Sequence, residues 1–105
     1  MILPVRDALD FLGGKWKLPI IISLSHGNKR FSDIQHSIPK ISPRMLSKEL
    51  KELEINKLVT RTVYDSVPVT VEYTLTNYSR SLDKVVTELH NWGKEHRKMI
   101  MGGRR

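Results

Sequence analysis

Three basic side chains recur on one side of the segment 42–56, and their types and spacing suit contact with a polyanion. At 100° per residue, Arg44, Lys48 and Lys51 fall close together on a helix. A guanidinium can form two parallel hydrogen bonds with a phosphate or with the edge of a guanine, whereas an ammonium acts as a point charge. We therefore interpret Arg44 as a candidate for base contact, and Lys48 and Lys51 as candidates for phosphate contact.

The same spacing also fits an ordinary solvated helix face, because Glu52 lies four residues after Lys48 and could form an ion pair with it. The neighbouring segments favour nucleic acid instead. A short helix predicted over 31–37 and a turn containing Pro39 precede the basic helix, and a predicted hairpin follows it. This order is typical of a helix-turn-helix with a wing, whose second helix enters the major groove of DNA.

The remaining candidate contacts lie in or beside these elements. The segment 28–51 holds six lysines and arginines against two acidic residues, which is a net +4 of the chain's +7. The last twelve residues carry a further +4, so the rest of the chain is close to neutral. With serine hydroxyls and the helix-starting proline included, the predicted DNA-binding residues are Lys29, Arg30, Ser42, Pro43, Arg44, Ser47, Lys48, Lys51 and Arg61.

Hydrophobic periodicity and turn residues predict the element order α-α-α-α-β-β-α. Ser42 and Pro43 form an N-cap and N1 pair, and Leu46, Leu50 and Leu53 form the stripe that docks the fourth helix on a core. The predicted elements are helices over 5–12, 16–25, 31–37 and 42–56, a β-hairpin over 58–76, and a final helix from about Tyr78 to Met101. We expect one mostly helical α+β domain over 1–101, a winged helix-turn-helix with an additional long C-terminal dimerisation helix, and a disordered tail over 102–105.

Three finer expectations concern burial and capping. The segment 16–25 is apolar on almost every side, so we expect it at the centre of the core. Either Asn28 or Ser32 is a candidate cap for the helix 31–37. Strict alternation of apolar and polar residues predicts a half-buried strand, with core positions at Val69, Val71, Tyr73 and Leu75.

The final helix is longer than one small domain can cover, and its apolar residues keep a 3–4 spacing along most of its length. A long apolar stripe at a terminus needs a partner surface. The first helix carries a second apolar face. We therefore expect a homodimer, with an interface that contains Val5, Leu9, Val85, Leu89, Trp92, His96 and Met99.

Several other chemistries find no support in the residues. The chain has no cysteine, which excludes thiolate metal sites, thiol nucleophiles and thiol redox switches. The triplet Gly13-Gly14-Lys15 lacks both the earlier glycine and the following Ser or Thr of a P-loop. The four histidines show no metal-ligand spacing. We predict no enzyme activity, no catalytic residue, no metal and no cofactor, while a small-molecule effector is possible but supported by no motif.

The longest apolar run, over 18–22, is far shorter than the ~20 residues that cross a bilayer. The N-terminus lacks the basic start and apolar block of a signal peptide. We therefore expect a cytoplasmic protein with no membrane partner.

Six separate motifs, in one order along nearly the whole chain, carry a resemblance to a known family. They are DFLGGKWK at 10–17, KRFSDI at 29–34, ISPRML at 41–46, LKELE at 50–54, VEYTLT at 71–76 and the pair Trp92-Gly93. Together they resemble the HxlR-type family of bacterial winged helix-turn-helix transcriptional regulators. The resemblance implies a dimer through the terminal helices, operator binding by the helix 42–56 and control of neighbouring genes, and we expect repression.

Two positions depart from the family pattern. Many relatives carry a cysteine beside the N-terminal proline, used in some of them as a redox or electrophile sensor, where this chain has Leu3. The wing usually has an arginine where this chain has Thr70, and its tip, 65–70, contains no Lys or Arg. We therefore expect little minor-groove insertion by the wing, with Arg61 as its one nearby cation. The lack of basic residues at the tip leaves an alternative function, a winged-helix protein–protein interaction module without specific DNA binding.

Overall fold

The computed structural model describes residues 1–102. Their elements are α1 (Ile2–Leu12), α2 (Lys17–Ser25), α3 (Phe31–Ser37), α4 (Pro43–Ile55), β1 (Val59–Tyr64), β2 (Thr70–Leu75), a 3₁₀ helix (Tyr78–Leu82) and α5 (Asp83–Gly102). The predicted mostly helical α+β order is confirmed, and α3 has the predicted bounds. Helix α5 includes Gly102, the first residue of the predicted tail, and residues 103–105 lie outside the described residues.

The core is built from aliphatic side chains of α2, α3, α4 and the start of the hairpin. The predicted docking stripe of α4 is confirmed, because Leu46, Leu50 and Leu53 are almost completely buried. The other buried apolar residues are Ile20, Ile21, Leu24, Ile34, Ile38, Ile41, Leu58 and Val59. The expectation that α2 is covered on almost every side is wrong at Ile22, which is exposed because it lines an open cleft between α2 and α5.

The start of α4 follows the predicted local chemistry. The Ser42 side-chain oxygen accepts a hydrogen bond from the Met45 N–H at 3.1 Å, and Pro43 occupies the first helical position. The predicted cap of α3 is wrong, because its N-cap is Arg30 and no side chain caps this helix. The Asn28 amide instead donates to Ser23 Oγ at 3.2 Å, which ties the loop to α2.

The hairpin pairs β1 with β2 in antiparallel register, and Arg61 lies directly opposite Tyr73. The Tyr73 N–H donates to the Lys29 carbonyl at 2.8 Å, so the segment before α3 is bonded to the sheet. In β1 only Val59 is buried, whereas all six residues of β2 are half-buried, so the polar residues of β2 are covered as much as the apolar ones and the predicted alternation is wrong. Val69 lies just before β2 and is exposed, against expectation, because no element covers that end of the two-stranded sheet.

The two terminal helices contribute no buried residue to this fold. Helix α1 reaches the core only at its end, where Phe11 and Leu12 pack against it, and Leu82 does the same just before α5. Among residues 1–102 we find no helix that combines the length and the apolar character needed to cross a membrane.

Candidate nucleic-acid interface

Helix α4 has two opposite faces with different chemistry. While its leucines are buried, Arg44, Ser47, Lys48 and Lys51 are exposed on the other side, and we call these four residues the basic face. The predicted spacing is therefore confirmed as a surface of four adjacent donor side chains. A helix anchored in this way can offer its outer face to a groove without moving relative to the core.

The basic face is free of internal ion pairs. In the part of the chain described here, the pairs within 4.0 Å are Lys17 with Glu49 and Glu52, and Lys98 with Glu95. The Glu52–Lys48 ion pair that the spacing allows therefore does not form, although the positive charge of Lys48 still contributes to lowering the pKa of Glu52. Glu52 turns towards α2, because the ammonium of Lys17 lies on that side.

Lys17, at the first position of α2, joins three helices. Its Nζ donates to Glu49 Oε2 at 3.1 Å and to Glu52 Oε2 at 3.2 Å, and it lies 5.3 Å from the centre of the Phe11 ring. Burial by itself would lower the pKa of Lys17, but the hydrogen bonds and charges of Glu49 and Glu52 outweigh it and raise that pKa. The hydrogen bond from Lys17 in turn holds the pKa of Glu52 below its ordinary value.

The turn between α3 and α4 contains a basic residue that was counted in the charged segment 28–51 but was not among the predicted DNA-binding residues. Lys40 is exposed and has a backbone φ of 68°, in the left-handed region. Its neighbours Ile38 and Ile41 are buried, so they fix the turn on the core. A lysine here costs about 1 kcal/mol relative to glycine. The available signal was the pair Pro39-Lys40 between two predicted helices, which marks a turn with an outward-facing cation.

Lys29 and Arg30 lie at the start of α3 and are both exposed. Arg30 is the N-cap residue of α3, and the Lys29 carbonyl accepts the hydrogen bond from Tyr73 in β2. These two cations therefore lie at the junction of α3 and the wing, as an extension of the helix-turn-helix.

Arg61 is close to α4 rather than to the wing tip. It lines an open groove of about 280 Å³ together with Ser47, Lys51, Glu54 and Tyr73. Tyr73 was predicted as a core residue, and it does pack against the core, but it also lines this groove. Sequence periodicity missed the second role, because the Arg61–Tyr73 pairing depends on hairpin register.

The predicted dimer residues form exposed apolar surfaces on both terminal helices. Leu89 is 52% exposed and Trp92 is 67% exposed, and the Trp92 ring stacks on His96 with 4.7 Å between ring centroids. The other predicted interface residues, Val5, Leu9, Val85 and Met99, are also exposed. No protein surface within residues 1–102 covers these side chains.

The described residues contain no cluster of three or more His, Asp or Glu side chains that could hold a metal ion. A cleft of about 440 Å³ between α2 and α5 is within the size range of small-molecule sites. His26, Asp83 and His90 lie along it with apolar residues of both helices.

Comparisons with known proteins agree with this geometry. The model of the HxlR-like helix-turn-helix family matches residues 11–101. The chain is 41% identical over 98 residues to the uncharacterized HTH-type transcriptional regulator YtcD of Bacillus subtilis, covering 93% of this chain and 78% of YtcD. It is 44% identical over 90 residues to an HTH-type transcriptional regulator of Methanothermobacter thermautotrophicus, covering 86% of this chain and 69% of that protein.

The fold is also similar to solved structures. The redox regulator HypR in its reduced form superimposes with a TM-score of 0.86 at 39% identity, covering 94% of this chain and 98% of HypR. The relatives are transcriptional regulators rather than enzymes. The chain therefore belongs to the HxlR-like family of DNA-binding helix-turn-helix transcriptional regulators.

Proposed function

We propose that this protein is a homodimer that binds a near-palindromic double-stranded operator through α4 and represses transcription there. The observation that carries this proposal is the basic face, whose four exposed donor side chains lie opposite a buried leucine stripe and form no internal ion pair in the described residues. Such a surface leaves its charge available for phosphates and base edges.

Within this proposal each residue type has a distinct role. Arg44 lies in the first turn of α4, where a guanidinium can bond two acceptors of one guanine. Lys48 and Lys51 contact phosphates, as do Lys29 and Arg30 at the start of α3. Further donors to the backbone are the hydroxyls of Ser42 and Ser47, the guanidinium of Arg61 and the added candidate Lys40, while Pro43 sets the first turn of α4.

The proposed dimer rests on the exposed apolar stripes of α1 and α5. Burying them against a second copy would remove from water side chains that this fold leaves uncovered. A two-fold axis would place the two α4 helices about 34 Å apart, in successive major grooves. Residues 1–101 would then act as one domain with two dimerisation helices.

We propose repression because a dimer bound across a promoter occupies the DNA that RNA polymerase needs. Repression of this kind requires only the basic face of α4 and the apolar stripes of α1 and α5. The mechanism is therefore steric, and its strength should follow operator occupancy.

A salt titration of DNA binding tests the proposal. The probes are a duplex from upstream of the protein's own gene and a random duplex of equal length. If each protomer neutralises about four phosphates, through Lys29, Arg30, Lys48 and Lys51, the slope of log K against log salt should be about −7 for the dimer. Tighter binding of the upstream duplex, with two chains per site, is expected.

Equally weak binding of both duplexes, or no binding, would contradict the proposal. That result would favour the protein–protein interaction module, for which the exposed wing tip around Val67, without lysine or arginine, is the available surface.

A further inference from the structure

The side chain of Lys17 is held on three sides. Two are hydrogen bonds to carboxylates of α4, at 3.1 Å to Glu49 and 3.2 Å to Glu52, and the third is the face of the Phe11 ring. The Lys17 side chain is only 12% exposed and that of Glu49 only 9%. This is the one ion-pair group of residues 1–102 that links two different helices.

The hydrogen bonds of Lys17 to Glu49 and Glu52 constrain α4 in a way that its leucine stripe does not. Apolar contacts are not directional, so a stripe of leucines permits small rotations and shifts of a helix against its support. Hydrogen bonds are directional, and Glu49 and Glu52 stand three residues apart on neighbouring turns. One ammonium that bonds both carboxylates therefore fixes the rotation of α4 about its axis.

The rotation of α4 matters for base contact. Side-chain tips lie about 5 Å from a helix axis, so a rotation of about 20° moves them by about 2 Å. A bidentate contact to a base edge does not tolerate such a displacement. Phosphate contacts by lysine are less affected, because a flexible ammonium can follow the backbone.

We propose that Lys17 is a positioning residue for operator recognition, because its bonds to Glu49 and Glu52 set the rotation at which Arg44 meets base edges. This inference rests on the proposed function. It predicts that loss of the Lys17 bonds reduces operator preference more than it reduces affinity for DNA in general. The raised pKa of Lys17 and the lowered pKa of Glu52 are consistent with a group that stays charged at neutral pH.

The test uses a double variant that keeps the local charge. Lys17, Glu49 and Glu52 together carry −1, and the variant Lys17→Met/Glu49→Gln also carries −1, from Glu52. It removes the bonds without leaving a buried carboxylate unpaired. Lys17→Arg serves as the conservative rescue, because a guanidinium can also bond two carboxylates. Glu52→Gln is a milder variant, since the Glu52 side chain is 42% exposed.

The measurement is the ratio of the affinities for the upstream and random duplexes at one salt concentration. Circular dichroism under the same conditions checks that each variant is folded. In the double variant this ratio is expected to fall about tenfold, which is the effect of impairing one base contact. Its affinity for random DNA should be unchanged. Glu52→Gln should lose less, and Lys17→Arg should restore most of the ratio.

An unchanged ratio in the folded double variant and in Glu52→Gln would overturn the inference while leaving the proposed function intact. A wild-type protein without operator preference would overturn both, because there would be no base recognition for Lys17 to position.

Discussion

Ser42 has two separable roles at the first turn of α4. Its hydroxyl oxygen caps the helix through the Met45 N–H, and the same exposed hydroxyl is a proposed DNA donor. Ser42→Ala should lower the free energy of unfolding by about 1 kcal/mol, because the N–H loses its partner. Ser42→Asp should keep the stability, since aspartate caps as well as serine, but weaken DNA binding by placing a negative charge at the interface.

Thermal unfolding and DNA titration of both Ser42 variants separate these roles. If Ser42→Asp destabilised the protein as much as Ser42→Ala, the cap would not be the stabilising contact.

Arg44 and Lys48 form a matched pair of cations on the basic face. Arg44→Ala should weaken binding of the upstream duplex by about 1–3 kcal/mol and affect random DNA much less, because it removes a base contact. Lys48→Ala should weaken both duplexes alike and reduce the salt slope, because it removes only a phosphate contact. The measurement is the same salt titration. Equal losses on both duplexes for Arg44→Ala would contradict base contact by this residue.

At the scale of the element, α4 is held by contacts of two kinds. Its leucines account for most of the buried surface, and the hydrogen bonds of Lys17 to Glu49 and Glu52 fix its rotation. Replacing Lys17 alone by Met would leave the Glu49 carboxylate buried without a partner, which should destabilise the fold by about 3 kcal/mol. The double variant with Glu49→Gln should recover much of this loss, and urea unfolding of both variants measures it.

The ion pair of Lys17 with Glu52 should make the stability of the protein depend on pH. The pKa of Glu52 in the folded chain is below its ordinary value of 4.5, so its ionised form stabilises the fold above about pH 4.5. This contribution is lost as the pH falls through the lowered pKa. For Lys17, whose folded pKa is above 10.5, the contribution is present below that pH and is lost as the pH rises through the raised pKa.

Thermal unfolding between pH 7 and pH 3 tests the acidic limb. The melting temperature of the wild type should exceed that of Glu52→Gln at neutral pH, and the difference should shrink as Glu52 is protonated. Asp65→Asn is the control, because Asp65 is exposed in the wing and has no ion pair among the described residues. A difference that stayed constant with pH would contradict the contribution of ionised Glu52.

At the scale of the whole molecule, the terminal helices decide the assembly. Their apolar stripes are exposed in one chain, so a charge placed there should break the proposed dimer without unfolding the chain. Leu89→Glu should therefore give a folded monomer by analytical ultracentrifugation, with upstream binding reduced to that of one half-site. Asn91→Glu, off the stripe on the same helix, should remain a dimer. A dimeric Leu89→Glu variant would place the interface elsewhere.

The absence of cysteine also has a consequence at this scale. The chain is similar to the redox regulator HypR, but it has no thiol that an oxidant could convert to a disulfide. Its DNA binding should therefore be unchanged by thiol-specific oxidants.

Local features of this protein were determined by the sequence itself. The bounds of α3, the cap at Ser42, the two faces of α4 and the hairpin all follow from side-chain periodicity and turn chemistry within a few residues. Such features depend on backbone geometry that each segment adopts for itself, so one sequence suffices to predict them. The lack of thiol chemistry follows from composition alone.

The tertiary structure decided which distant residues meet. Lys17 bonds partners 32 and 35 residues away, and Arg61 shares a groove with Lys51 and Tyr73. No periodicity predicts these contacts, because they depend on how α2, α4 and the hairpin pack around the core. The Glu52–Lys48 pair that the spacing within α4 allows does not form, since Lys17 donates a hydrogen bond to the same carboxylate at 3.2 Å.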